Sequence, residues 1–118
     1  MCDGGPTLIF ACSGAADVGE VADRAARELT RAGVGKMFCL AGIGGRVSGL
    51  MKKTSEASDI LAIDGCDLDC AKSCLEQAGF ARFKHIRVTD LGMEKGQTPA
   101  IEENILKVVA KGEEVVAS

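Results

Sequence analysis

Tryptophan and tyrosine are absent from the 118 residues, phenylalanine occurs four times and histidine once. So few aromatic rings offer almost no platforms on which bases could stack, and 14 Lys plus Arg against 17 Asp plus Glu leave no basic stripe to follow a phosphate backbone. Nucleic acid is therefore not an expected partner. Long apolar stretches are missing too: the longest, residues 8–12 and 37–41, fall far short of the about 20 residues that span a bilayer, so no membrane association is expected. Met1 is followed by Cys2 and Asp3 and not by a basic region with a long apolar stretch, which predicts no secretory signal and a cytoplasmic location. In that compartment six cysteines read as metal ligands or reactive thiols before they read as disulfides. No linker or low-complexity tract divides the chain, and its length suffices to bury a core of its own, so residues 1–118 are expected to form one domain that needs no metal to fold.

What is present repeats. Residues 8–11 form a short unbroken apolar run closed by the turn cluster Cys12-Ser13-Gly14. Asp17 and Glu20 then have capping-box spacing, and Val18, Val21, Ala22, Ala25 and Leu29 recur at helical spacing up to Gly33. Residues 37–40 read as a second strand, 41–45 as a glycine-rich turn and 47–57 as a weaker helix. Residues 60–63 give a third strand, followed by a helix with its cap at Asp67 and an apolar stripe of Leu68, Ala71, Leu75 and Ala78 that stops at Gly79. Residues 85–89 are a fourth strand and 90–97 a polar loop. Thr98-Pro99 predicts the start of a last helix marked by Ile101, Ile105, Val108 and Val109, with 112–118 fraying. Four strand–helix units at this spacing predict an α/β domain with an open, mainly parallel four-stranded sheet and helices on both faces, because unbroken apolar strands are those covered twice.

Cys12, Cys39 and Cys66 stand at equal intervals of 27 residues, one strand plus one helix, each at or near a strand end. Parallel strands about 4.8 Å apart bring such ends to one edge, where open α/β sheets keep their ligand crevices. Cys70, in the first turn of the third helix, adds a fourth thiol. Four thiolates suit zinc, with sulfur about 2.3 Å from the metal, and iron–sulfur ligation is the second choice. Taken singly, each cysteine reads first as a small core residue. Cys74 flanks the stripe of its helix and reads as packing, and Cys2 as an exposed terminal residue.

The segments Cys12-Ser13-Gly14-Ala15-Ala16-Asp17, Phe38-Cys39-Leu40-Ala41-Gly42-Ile43-Gly44-Gly45, Asp64-Gly65-Cys66 with Asp69-Cys70-Ala71-Lys72, and Val88-Thr89-Asp90-Leu91-Gly92 together resemble the DGC-domain family, whose namesake is the tripeptide at 64–66. The resemblance covers nearly the whole chain. It implies a zinc site on Cys12, Cys39, Cys66 and Cys70, and it implies no reaction; Cys2 and Cys74 fall outside the pattern.

Other residues have two readings. The turn at 41–45 with Arg46 could cradle a small anion, or simply reverse the chain. Asp17, Asp64, Asp67, Asp69 and Asp90 crowd the strand-end edge; Asp17 and Asp67 read as helix caps, and Asp90 as a group facing the metal pocket. His85, at the start of the fourth strand, lies too far down the sheet to join the cysteines. Three functions stay open at this point: a zinc-binding protein, a thiol redox or metal-dependent enzyme in which Cys70 or Cys12 attacks a substrate, and a small-anion binding module.

Overall fold

A computed structural model describes residues 5–12 and 15–118; the expected turn residues Ser13 and Gly14, and Cys2, lie outside them. The elements run β1 (Thr7–Ala11), α1 (Asp17–Arg31), β2 (Lys36–Met37), α2 (Leu40–Gly44), α3 (Ser48–Ser55), β3 (Asp59–Asp64), α4 (Cys70–Gln77), β4 (Lys84–Arg87), a 3-10 turn (Val88–Leu91) and α5 (Glu102–Ala117). All strand pairs are parallel and the order is β2-β1-β3-β4, with Leu8 facing Lys36 on one side and Ile60 on the other. The α/β class, the four-stranded parallel sheet and the helices on both faces are as the apolar runs predict.

Side chains alternate across a strand, so β1 and β3 feed two cores. Ile9, Ala11, Leu61 and Ile63 pack under α1 and α5, against Val18, Val21, Ala22, Ala25, Leu29 and Val108. Leu8, Phe10, Ile60 and Ala62 pack on the other face against Ile43, Ala71 and Leu75, with the Phe38 ring edge-on to Phe10. α1 and α5 approach closely at Gly112, where an added Cβ would stand 2.8 Å from Leu29. That contact holds the C-terminal segment in α5, which runs to Ala117 in place of the expected fraying from 112. Among the described residues no helix is long and apolar enough to cross a membrane.

The largest departure from the sequence reading lies at 37–45. β2 ends at Met37 because Cys39 takes the N-cap of α2, its sulfur accepting the Gly42 N–H at 3.4 Å. The glycine-rich stretch is thus a helix and not an open turn. Gly42 lies against Leu50 of α3: a Cβ would meet its side chain at 2.0 Å, so Leu50 would have to move to admit one. The second unit therefore carries two short helices.

Candidate thiol site at the strand-end edge

β1 and β3 are neighbours at the point where the strand order reverses, and in open α/β sheets the crevice beyond such a point is where ligands sit. Cys12 follows β1 and the tripeptide Asp64-Gly65-Cys66 closes β3, so the sheet delivers both to this crevice. Cys12 N–H bonds to the Ile63 carbonyl at 3.1 Å, and the Gly65 N–H donates to Cys12 Sγ at 3.2 Å.

Each residue of the tripeptide has its own task. Asp64, 1% exposed, accepts the N–H groups of Ala71 at 2.7 Å and Lys72 at 3.1 Å, satisfying the first turn of α4, and its Oδ2 also pairs with His85 Nε2 at 2.8 Å. Gly65 packs directly on the first turn of α1; a Cβ there would lie 2.7 Å from Gly19 N and from Val18 C. Cys66 faces the crevice, and Lys95 Nζ reaches its sulfur at 3.6 Å.

Cys12, Cys66 and Cys70 line one cavity of about 140 Å³, floored by Val18, Gly19 and Gly65 and rimmed by Lys95 and the exposed Leu68. Cys12 also lines an adjoining groove of about 490 Å³, which it shares with Cys39 and Cys74. The four expected thiols thus open on two hollows that share Cys12, with Cys39 in one and Cys66 and Cys70 in the other, and among the described residues their sulfurs do not draw together into a cluster. Two other hollows, one beside the charged face of α1 and one at the opposite, N-terminal edge of β3 and β4, are lined by no thiols among the described residues. Burial pushes the Cys12 thiol up, the Gly65 N–H pulls it partly back, and Asp64, Cys70 and Cys66 push it up further as like charges.

Several single-residue expectations are corrected. Asp17 forms no box with Glu20: the N-cap is Ala16, and the Asp17 carboxylate accepts the first-turn N–H of Val18 at 2.8 Å and, from far along the chain, the N–H groups of Gly96 and Thr98, both at 2.9 Å. Those two bonds hold the carboxyl below the usual carboxylate range and fasten the loop that carries Lys95. Thr98 is not the N-cap of α5, which is Ile101; its buried hydroxyl bonds the Glu94 carbonyl at 2.8 Å and braces the same loop. Asp67 is exposed, and the task expected of it falls to Asp64. Asp90 points to Arg87 at 3.5 Å, away from the thiols.

Arg46 fills no anion cradle. Its guanidinium is taken by the carbonyls of Ile43, Gly44 and Gln77 at 2.7, 3.2 and 2.9 Å. The amides of Gly45, Arg46 and Val47 are spent on carbonyls one turn back. The small-anion module loses its site.

His85 is indeed away from the cysteines, yet it is not idle. Asp64, Asp69 and His85 form, among the described residues, the group whose ligand-capable atoms lie within 4.8 Å of one another. Asp69 sits in the left-handed region at φ 52 and is gripped in two-pronged fashion by Arg87, at 3.0 and 2.7 Å. That ion pair holds the Asp69 carboxyl below its usual range and raises the Arg87 guanidinium. With the Asp64 oxygens committed to backbone and His85, and a guanidinium against Asp69, the chain Arg87–Asp69–His85–Asp64 braces the start of α4, and with it Cys70, and presents no cation cage.

The fold, the thiol-lined crevice and its tripeptide define a recognised class: the model of the DGC domain matches residues 8–113, and the chain belongs to that family. Among curated proteins, the anaerobic and virulence modulator AnvM of Pseudomonas aeruginosa is 38% identical over 88 residues, spanning 75% of this chain and 67% of that protein. No solved structure matches the chain.

Proposed function

We propose that the chain is a zinc-binding protein whose metal is held by Cys12, Cys39, Cys66 and Cys70 at the strand-end edge. The observation that carries this reading is the position of Cys12, whose thiol lines both the hollow of Cys66 and Cys70 and the hollow of Cys39. The donor chemistry suits the ion: in hollows otherwise lined mostly by apolar residues, the groups that could ligate it are chiefly cysteine sulfurs, the form that binds zinc is the thiolate, and Lys95 beside Cys66 offsets part of the negative charge four thiolates would bring. The five described cysteines are free thiols, in keeping with a reducing, cytoplasmic setting and a single domain whose partner is the metal ion. The name of the relative AnvM speaks of modulation, and a sensory role for the site of this chain agrees with it better than a purely structural one.

Elemental analysis of protein purified without added metal tests the reading. About one zinc per chain is expected, lost in large part when any of Cys12, Cys39, Cys66 or Cys70 is replaced by serine, since a neutral hydroxyl then stands for a thiolate. Full zinc in Cys12→Ser protein would overturn it. An enzymatic reading draws on one observation, the exposed thiol of Cys70 at the first position of α4. X-ray absorption separates the two: four sulfurs around zinc leave no place for substrate, and three sulfurs with one oxygen leave one.

A further inference from the structure

The hollow of about 140 Å³ beside the tripeptide joins a cation to a nucleophile. Among the described residues Lys95 is the one charged group of its lining, and Lys95 Nζ stands 3.6 Å from Cys66 Sγ. Around that pair the walls are apolar, with Ala15, Ala16, Val18 and the exposed Leu68. Carboxylates of the flanking elements are committed to backbone amides, Asp64 to those of Ala71 and Lys72, and Asp17 to those of Val18, Gly96 and Thr98. The bonds from Gly96 and Thr98, with the Thr98 hydroxyl on the Glu94 carbonyl and the buried side chain of Met93, fix the segment from which Lys95 projects. Cys66 is set apart from the other two thiols of the hollow. Burial pushes the Cys12 thiol up, and its sulfur is already occupied by the Gly65 N–H, while the ammonium contact falls on Cys66 and not on Cys70.

We propose that Cys66 and Lys95 form a covalent-capture site for small carboxylates that carry an electrophilic carbon beside the carboxylate, Lys95 holding the anion and Cys66 attacking the carbon. An ammonium–carboxylate hydrogen bond of about 2.8 Å leaves that carbon within reach of a sulfur 3.6 Å from the same nitrogen. Holding both reactants in one place is what speeds such a step. At about 30 Å³ for each water, the hollow has the volume of roughly four to five waters, which suits a short-chain acid and not a peptide. With iodoacetate the step is a displacement: the bond from Cys66 Sγ to carbon forms, the carbon–iodine bond breaks, iodide leaves with the electron pair, and the thiol proton goes to water. The product is a thioether, and no outside oxidant is needed. A thioether is not the thiolate that binds zinc, so capture and the proposed zinc on Cys66 exclude one another. The capture site itself does not rest on the zinc reading.

The test compares iodoacetate with iodoacetamide, a similar electrophile without the charge, on the full-length chain treated with a strong chelator, with mass spectrometry reading the modification of each cysteine. Circular dichroism verifies folding, and the same chain in urea gives the intrinsic preference of each thiol. The ratio of the iodoacetate rate to the iodoacetamide rate at Cys66 should rise about fivefold on folding, the upper end for an exposed ion pair. Cys39, whose groove carries the Asp23 carboxylate and no lysine, should show no such gain. Lys95→Met should abolish the gain at Cys66, and Lys95→Arg should restore most of it. An equal ratio at Cys66 in the folded and unfolded chain, a gain that survives Lys95→Met, or a larger gain at Cys70 overturns the capture site. The zinc reading stands or falls separately, by elemental analysis.

Discussion

Asp64 gives the sharpest test of how the site is built. Its carboxylate is almost fully buried, accepts two N–H groups from the first turn of α4 and pairs with His85. Hydrogen bonds to a charged acceptor contribute about 1.5–3 kcal/mol each, and losing a helix cap costs about 0.5–2 kcal/mol. Asp64→Ala removes all three partners at once and leaves the buried Ala71 N–H and the His85 ring unpaired. These effects overlap, and we expect a loss of about 3–4 kcal/mol, a large part of the about 5–15 kcal/mol that holds a domain together. Asp64→Asn keeps one accepting oxygen and turns a donor toward another donor, so about half that loss is expected. Urea unfolding followed by circular dichroism reads both, with the slope against urea unchanged if only the native state is affected. A double cycle with His85→Ala should show coupling of about 1 kcal/mol, because the two side chains touch. If Asp64→Ala unfolds within about 1 kcal/mol of the wild type, the carboxylate is not what satisfies the start of α4 and the account of the tripeptide fails.

Gly65→Ala should destabilise by about 1–3 kcal/mol in the same assay, since the new methyl meets the backbone of Val18 and Gly19 and no flexible side chain can give way. Asp17→Asn should raise hydrogen exchange at residues 94–98 without unfolding the sheet. Because the Asp17 carboxyl is held below its unfolded value, its contribution is present at neutral pH and is lost as the pH falls through that lowered value, so the same loop should loosen first on acidification. Lys95→Met should weaken zinc binding severalfold in a chelator competition, by withdrawing the charge beside Cys66. Chelation should lower hydrogen-exchange protection around Cys12, Cys39 and Cys66 to Cys70, but leave Ile101 to Val109 protected, because the two cores do not depend on metal; global unfolding would contradict that independence.

The parts of this molecule that were legible in the sequence are those whose signal is local. Leu8 to Ala11 and Ile60 to Ile63 read as strands because both faces are covered, and the stripe from Val18 to Leu29 read as a helix because only one is. Equal spacing of Cys12, Cys39 and Cys66 pointed to the strand ends, where Cys12 lines both hollows while Cys39 and Cys66 line one each. What was hidden depends on partners distant in the chain. Asp17 looks like a local cap, and it does accept the Val18 N–H, yet its two other bonds go to residues 79 and 81 positions away. Asp64 has its His85 partner 21 positions away, and residues two apart on a strand share a face, so the ring opposite Ala62 reaches the next carboxylate along β3. Gly42 carried the signature of a turn, and the Leu50 side chain that lies against it belongs to α3. Cys74 looked like one more flank of a stripe because the groove it opens on is made with residues of β1, α1, β2 and α2.

The bond from Gly65 to Cys12 Sγ joins residues 53 positions apart. A ribosome adds about 5–20 residues each second, so roughly 3–10 s separate the synthesis of Cys12 from that of its partner. During that interval the nascent chain displays Cys12 and then Cys39 with no β3 to seat them. Capture of a metal by the proposed ligand set would therefore follow translation of the third strand and could not guide the first half of the chain, and an oxidant meeting the polypeptide before then finds two thiols that line a common groove in the finished protein.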